Sequence, residues 1–284
     1  MKILVTGATG QLGSEIKEIS SDYKESKFVF CSSKELDICN HENVADFIET
    51  NEITTIINCA AYTAVDKAEQ EVDKANAINH YAVANLSKIA ADKKIQLVHI
   101  STDYVFDGTN HQPYTESDTP NPQSVYGVSK LAGEKAMLTA NPPNSIIIRT
   151  SWLYSRFGNN FVKTMLRLAA DRTELSVVSD QVGTPTNAFD LANVIFKILP
   201  QLENKNVEVF HYSNDGVCSW YDFAYTIFEK SNFKIKLNPI PTQQYPTPAK
   251  RPCFSILSKE KIKAKYDVES MHWTTSLSSY LLKQ

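Results

Sequence analysis

Three residues set the chemistry this chain can do. Tyr126 and Lys130, in Tyr126-Gly127-Val128-Ser129-Lys130, are four positions apart, so on a helix they share a face. A phenol beside an ammonium is a proton donor tuned toward neutral pH. The positive charge stabilises the phenolate and should draw the tyrosine below its reference pKa of about 10. Thr102 follows Gln96-Leu97-Val98-His99-Ile100, an apolar run that reads as a buried strand. A hydroxyl at that strand's carboxyl end, facing the Tyr/Lys helix, would hold a carbonyl oxygen beside the donor. Alone, Tyr-x-x-x-Lys equally describes an ordinary amphipathic helix with an exposed lysine.

The elements that must position this set begin at Lys2-Ile3-Leu4-Val5-Thr6, a β-rich run that leads at once into Gly7-Ala8-Thr9-Gly10-Gln11-Leu12-Gly13. Leu12, Ile16 and Ile19 then recur with a helical period. Strand, glycine turn, helix is the context in which such glycines bind a dinucleotide. Gly7 permits the tight turn, Gly10 lets a diphosphate approach the backbone, and Gly13 lets the helix pack on the strand. The helix N-terminus offers its free N–H groups to the phosphates.

The second strand, 27–31, ends in Ser32-Ser33-Lys34, with no acidic residue before Glu35. A site for NAD usually places Asp or Glu there, on the ribose 2′-hydroxyl. Two hydroxyls and a lysine favour a 2′-phosphate, hence NADPH, with NADH still open. Asp37 and Ile38 either lie by the adenine or belong to the N-cap region of the next helix. Ala60-Ala61-Tyr62-Thr63 follows a buried strand, where small residues let a cofactor lie close or simply pack tightly. Asn79, inside a helical stretch over 75–92, reads as structural support.

Strands alternate with helices throughout residues 1–150, which implies a Rossmann-type, doubly wound parallel sheet of the α/β class. The dinucleotide-binding domain is expected to span 1–150 plus about 187–212, where a helix and a last strand return to the sheet. A smaller mixed α/β substrate lobe takes about 151–186 and 213–284. Trp152, at the sheet's catalytic edge, either stacks on a sugar or caps the core. Arg251, in the proline-rich loop 245–252, is a candidate clamp for a ligand diphosphate or a solvated surface arginine.

Composition narrows the class. The chain has 284 residues, 42% hydrophobic and 21% charged, long enough for one large domain or two modest ones and ordinary for a globular protein. A net charge of −3 supplies no general attraction for nucleic acid or an anionic membrane. No apolar run approaches the ~20 residues of a membrane span, and Gly7 interrupts the first run too early for a signal-peptide core. Five cysteines without a C-x-x-C pair point to reduced thiols in a cytoplasmic protein, and no protein-held catalytic metal is expected.

These motifs resemble the extended short-chain dehydrogenase/reductase superfamily, in its T-G-x-x-G-x-x-G turn at Thr6 to Gly13 and its Thr…Tyr-x-x-x-Lys set at Thr102, Tyr126 and Lys130. Within it, Ala60 to Glu69, Ser101 to Phe106, Val125 to Glu134, Arg149 to Trp152, Gly158 to Phe161, Tyr245 to Ala249 and Arg251-Pro252 resemble the dTDP-4-dehydrorhamnose reductases. The resemblance implies NAD(P)H-dependent reduction of the C4 ketone of dTDP-4-dehydro-L-rhamnose, the last step of dTDP-rhamnose biosynthesis for cell-surface polysaccharide. It implies that Gly10, Gln11 and Leu12 hold the diphosphate, that Asp37 and Ile38 lie by the adenine, and that Ala61, Tyr62 and Thr63 line the cofactor. Thr102 and Asp103 would touch the sugar nucleotide, Trp152 would close over it, and Tyr126 and Lys130 would do the chemistry. A homodimer, with Mg2+ at its interface, is known for some members, and no residue pattern here shows either. Sister enzymes use the same pair for epimerisation or dehydration; Tyr104 stands where dehydratases carry a glutamate, which weighs against dehydration. A non-catalytic rival is the regulatory subunit of methionine adenosyltransferase, which resembles the same family.

Overall fold

Short β-branched runs separated by amphipathic helices form a six-stranded, all-parallel sheet in the computed structural model, which describes residues 1–282. Its strands are β1 (Lys2–Thr6), β2 (Lys27–Cys31), β3 (Thr55–Asn58), β4 (Gln96–Thr102), β5 (Ile146–Thr150) and a sixth, Glu208–His211. Across the sheet the order is Glu208–His211, β5, β4, β3, β1, β2. The winding reverses between β1 and β3, so the crevice at their carboxyl ends is where such a sheet takes a ligand.

Both faces are covered, as continuous Ile/Val runs require of a parallel sheet. On one face Ile3, Val5, Ile57, Val98 and Ile148 pack against the helices Gln11–Ile19 and Ala188–Ile198. On the other, Leu4, Ile56, Leu97 and Ile147 meet His41–Thr50 and Ala82–Lys93, with Met137 from the helix Val125–Ala140. Alternate residues of each strand thus feed different cores.

The expected helix over 75–92 is interrupted. Val72–Asn76 and Ala82–Lys93 are α-helical, and Ala77–Tyr81 between them is a π-turn. The widened turn carries Asn79. Its carbonyl oxygen would lie 2.2 Å from a Cβ built at Gly133 of the facing helix. Gly133→Ala is therefore expected to push these helices apart and cost about 1–3 kcal/mol, read as a lower urea midpoint; an unchanged midpoint would show that the contact relaxes freely.

The C-terminal part departs from the sequence expectation, which ends the strands at 207–212. Lys236–Ile240 pairs in parallel with Glu174–Val178, and its Pro239 is tolerated because the strand has only one neighbour. An eleven-residue helix, Trp220–Lys230, starts at a Ser219/Asp222 capping box. With Phe161–Asp171 and Trp273–Leu281 it builds a separate core around Tyr154, Phe223, Ile227 and Leu277. Among the described residues no helix is long and apolar enough to cross a membrane. All five cysteines are free.

Candidate active site

The Tyr126/Lys130 helix begins where the Ser124 hydroxyl accepts the Gly127 N–H at 3.2 Å. Gly127 itself is required by proximity: a Cβ there would sit 2.2 Å from the Tyr104 carbonyl oxygen, so the helix lies directly on the segment after β4. Tyr126 is 8% exposed and meets Tyr104 edge to face at 5.5 Å. Lys130 is 1% exposed, which removes the reading as an amphipathic helix with a solvated lysine. Its Nζ donates to the Ile100 carbonyl at 2.6 Å and lies 3.4 Å from His99 Nε2.

The electrostatics correct the sequence expectation of an acidified phenol. Burial pushes the Tyr126 phenol up to about 12; the nearby Thr102 hydroxyl opposes this and the Asp103 charge adds to it. Burial likewise pulls Lys130 down to about 8, against Glu134 and Cys59. Both groups have lost their water, and the lysine nitrogen is engaged by a backbone carbonyl, so desolvation sets the direction of both shifts. What results is a phenol that stays protonated across the neutral range.

Thr102 Oγ1 donates to Asp103 Oδ1 at 3.0 Å and accepts the Tyr104 N–H at 3.2 Å. Asp103 is 2% exposed and its Oδ2 has no hydrogen-bond partner. Burial raises its carboxyl from 3.8 to about 6, in spite of the Ser255 and Thr102 hydroxyls. A raised carboxyl pKa means that the stability it confers is fully present below about 3.8 and lost as pH rises through about 6. Asp103→Asn, which has no proton to lose, should escape that decline. Between pH 4 and pH 7 the wild-type protein is expected to lose roughly 2 kcal/mol relative to the variant in urea unfolding. Parallel pH profiles would remove Asp103 as the cause.

The glycine turn meets the requirements of a dinucleotide. Gly7 sits at φ +64°, and a Cβ there would come within 2.6 Å of the Ala60 nitrogen. A Cβ at Gly13 would lie 2.4 Å from the Gly7 carbonyl oxygen, the close strand–helix approach expected of it. Gly10 is the N-cap and no side chain caps Gln11–Ile19, so the first N–H groups of that helix are free for phosphate oxygens. Leu12 is buried in the core, leaving only its backbone for that task. The Gln11 side chain spans to the C-terminal part, donating to the Leu153 carbonyl at 3.4 Å and accepting from Asn160 at 3.1 Å.

Of the other cofactor candidates, Ser32 donates its N–H to Glu35 Oε2 at 2.7 Å, which brings a carboxylate to the end of β2. Asp37 is exposed and accepts the Cys39 N–H; Ile38 is turned into the core, and Asn40, not Asp37, caps the next helix. Ala61 is half-buried and Thr63 exposed, beside the crevice between β1 and β3. Tyr62 donates its hydroxyl to Glu71 at 3.0 Å. Asn79 does give structural support: it accepts the Tyr62 N–H at 2.9 Å, donates to the Tyr62 carbonyl at 3.0 Å and reaches Ser129 at 3.0 Å.

Trp152 occupies a left-handed conformation at φ +48°, a strained state for a bulky residue and one found where a site imposes it. Its ring stacks on Trp220 at 3.6 Å with the planes 9° apart. Trp220 was not singled out from the sequence, since nothing local links it to Trp152. It lines a cavity of about 650 Å³ with Phe161, Val178, Gln181, Tyr245 and Arg251, a size suited to a small ligand. Arg251 departs from the expected free clamp: its guanidinium forms a bidentate pair with Asp66, at 3.1 and 2.7 Å. It joins the C-terminal part to the cofactor side while facing the cavity.

Magnesium finds no obvious ligand set within the chain, for among the described residues no three His, Cys, Asp or Glu are grouped to hold a metal ion. A family model described as the RmlD substrate binding domain matches residues 1–284. A dTDP-4-dehydrorhamnose reductase of Aggregatibacter actinomycetemcomitans is 40% identical over 98% of this chain and 97% of its own. The crystal structure of a dTDP-4-dehydrorhamnose reductase from Clostridium acetobutylicum superposes with a TM-score of 0.95 at 44% identity, covering 100% of both chains. One from Bacillus anthracis, in complex with NADP, gives 0.95 at 37% identity, covering 100% of this chain and 99% of its own.

Proposed function

The chain belongs to the RmlD substrate binding domain family, and from that premise we propose that it reduces dTDP-4-dehydro-L-rhamnose to dTDP-L-rhamnose with NADPH. The observation that carries this reading is the buried Thr102/Tyr126/Lys130 set beside an uncapped glycine turn. NADPH is preferred because Ser32, Ser33 and Lys34 offer a 2′-phosphate two hydroxyls and a cation, and because the Bacillus anthracis relative is in complex with NADP. Glu35, now placed on Ser32, is the feature that would keep NADH in use.

When bound, the nicotinamide supplies the hydride that reduces C4. The chain's own residues do the rest. Gly7 and Gly13 shape the turn, and Gly10 leaves room for a diphosphate, which the amides of Gln11 and Leu12 receive. Tyr126, protonated at neutral pH, gives its proton to the oxygen on C4 as charge builds there. Thr102, released from Asp103, donates a hydrogen bond to the same oxygen. Lys130 orients the nicotinamide ribose and supports the phenolate left behind. The cavity lined by Trp220 and Arg251, built from residues of the lobe of about 151–186 and 213–284, takes the nucleotide end of the substrate. Free cysteines fit a cytoplasmic enzyme.

The test is to supply the 4-keto sugar nucleotide with NADPH and, separately, NADH, and to follow the nicotinamide absorbance. Stoichiometric consumption is expected, faster with NADPH. An epimerase would consume none, and absence of consumption with both cofactors would overturn the reading.

A further inference from the structure

Lys130 is held from below by a chain of buried side chains that runs across three strands. Asn58, at the end of β3, accepts the Thr6 hydroxyl at 2.7 Å and the Ala60 N–H at 3.2 Å through Oδ1. A backbone N–H can only donate, so the oxygen of Asn58 must lie on that side and its Nδ2 on the other. Nδ2 faces His99 Nδ1 at 3.1 Å. As Nδ2 can only donate, His99 Nδ1 must accept, and the single proton of the neutral ring is left on Nε2. That Nε2–H faces Lys130 Nζ at 3.4 Å. An ammonium has no lone pair to accept it, whereas a neutral amine does, and the amine still donates to the Ile100 carbonyl at 2.6 Å.

We propose that His99 is a positioning residue for Lys130: Asn58 locks its proton on Nε2, so that it offers the lysine nitrogen a donor and favours the neutral amine in the free enzyme. The relevance to catalysis rests on the assignment of Lys130 above; the tautomer does not. Of the remaining groups around Lys130, Glu134 and Cys59 favour its charge, and both are weakened in that role. Along its own helix stand Tyr126, which is protonated, and Glu134, whose carboxylate is bound by Arg149. From the end of β3 comes Cys59, a thiol that burial pushes up to about 12 and so leaves uncharged. His99 itself is held well below its ordinary value, in the first place by burial, consistent with a neutral ring. Lys130 therefore gains its charge only against both desolvation and a facing N–H, which makes its protonation sensitive to what later binds beside it.

The experiment uses the full chain labelled with 15N-histidine and 13Cε-lysine. Two-bond 1H–15N correlations are expected to show His99 neutral from pH 6 to 8 with its proton on Nε2, and His211, whose Nδ1 faces the Tyr114 carbonyl, with the opposite tautomer. A His99 proton on Nδ1, or on both nitrogens, would overturn the proposal without any variant being made. Asn58→Asp places an acceptor where Nδ2 stands, which should move the His99 proton to Nδ1 and turn a lone pair toward Lys130. The 13Cε titration of Lys130 is then expected to move up by about one pH unit or more, and His99→Phe, which removes the facing N–H without adding a charge, should move it in the same direction. A flipped tautomer with an unmoved lysine midpoint would overturn the coupling. If reductase activity were absent while the wild-type tautomer was found on Nε2, the functional reading would fail and this one would stand.

Discussion

Tyr126→Phe is expected to fold, to bind NADPH, and to turn over the keto sugar about 10²–10⁴-fold more slowly than the parent. The substitution removes one oxygen from a ring that is already buried and packed edge to face on Tyr104, so the fold loses little. The glycine turn that receives the dinucleotide is built from other elements and stays intact. What disappears is a proton held next to Thr102 at the carboxyl end of β4 by a group that is protonated throughout the neutral range. The alkoxide at C4 must then take its proton from water. The loss should fall on kcat with KM little changed, because the phenol acts where charge develops and contributes less to ground-state binding. Cofactor affinity by fluorescence titration and steady-state rates on the same preparation decide it. Turnover within a few-fold of the parent would take Tyr126 out of the mechanism.

Arg149→Met is expected to be the most destabilising of the single changes considered, at about 3–5 kcal/mol. Arg149 and Glu134 are 4% and 1% exposed. The guanidinium holds the carboxylate through Nε at 2.9 and 3.2 Å and through Nη2 at 2.6 Å, with the Ser101 hydroxyl also donating to it. The same guanidinium lies 3.4 Å from His211 and over the Phe106 ring at 5.1 Å. Removing it strands the Glu134 carboxylate on the buried side of the Tyr126/Lys130 helix, with the Ser101 hydroxyl left to donate to it. The control is the pair Arg149→Met with Glu134→Met, which removes both charges at similar volume and should recover much of the loss. Urea unfolding of the single and double variants reads this directly. A double variant no more stable than the single one would show that the cost is packing and not the orphaned charge.

Residues close in sequence carried most of what could be read in advance. The glycine turn needs only its own seven residues and the strand and helix around them, and Tyr126 and Lys130 need only four positions of helix. Local geometry sets these, so their spacing was informative. Trp152 was visible as an aromatic at the sheet edge, but its partner Trp220 lies 68 positions on, in a helix that the sequence reading left unresolved. Arg251 reads from sequence as a candidate clamp or a solvated arginine, but the carboxylate that engages it, Asp66, lies 185 positions away. The π-turn at Ala77–Tyr81 leaves no trace in periodicity, since one extra residue in a turn scarcely changes a hydrophobic pattern.

By itself, then, the order of amino acids determined the class of sheet, the glycine turn and the spacing of the three residues we propose to meet a carbonyl, because each depends on contacts within one strand or one turn of helix. The protonation of those residues was decided by the folded molecule. Whether a lysine sharpens a phenol or is itself discharged depends on how much water remains around both and on what faces them from neighbouring strands, and burial and cross-strand partners such as Asn58 and His99 exist only once the chain has closed around them.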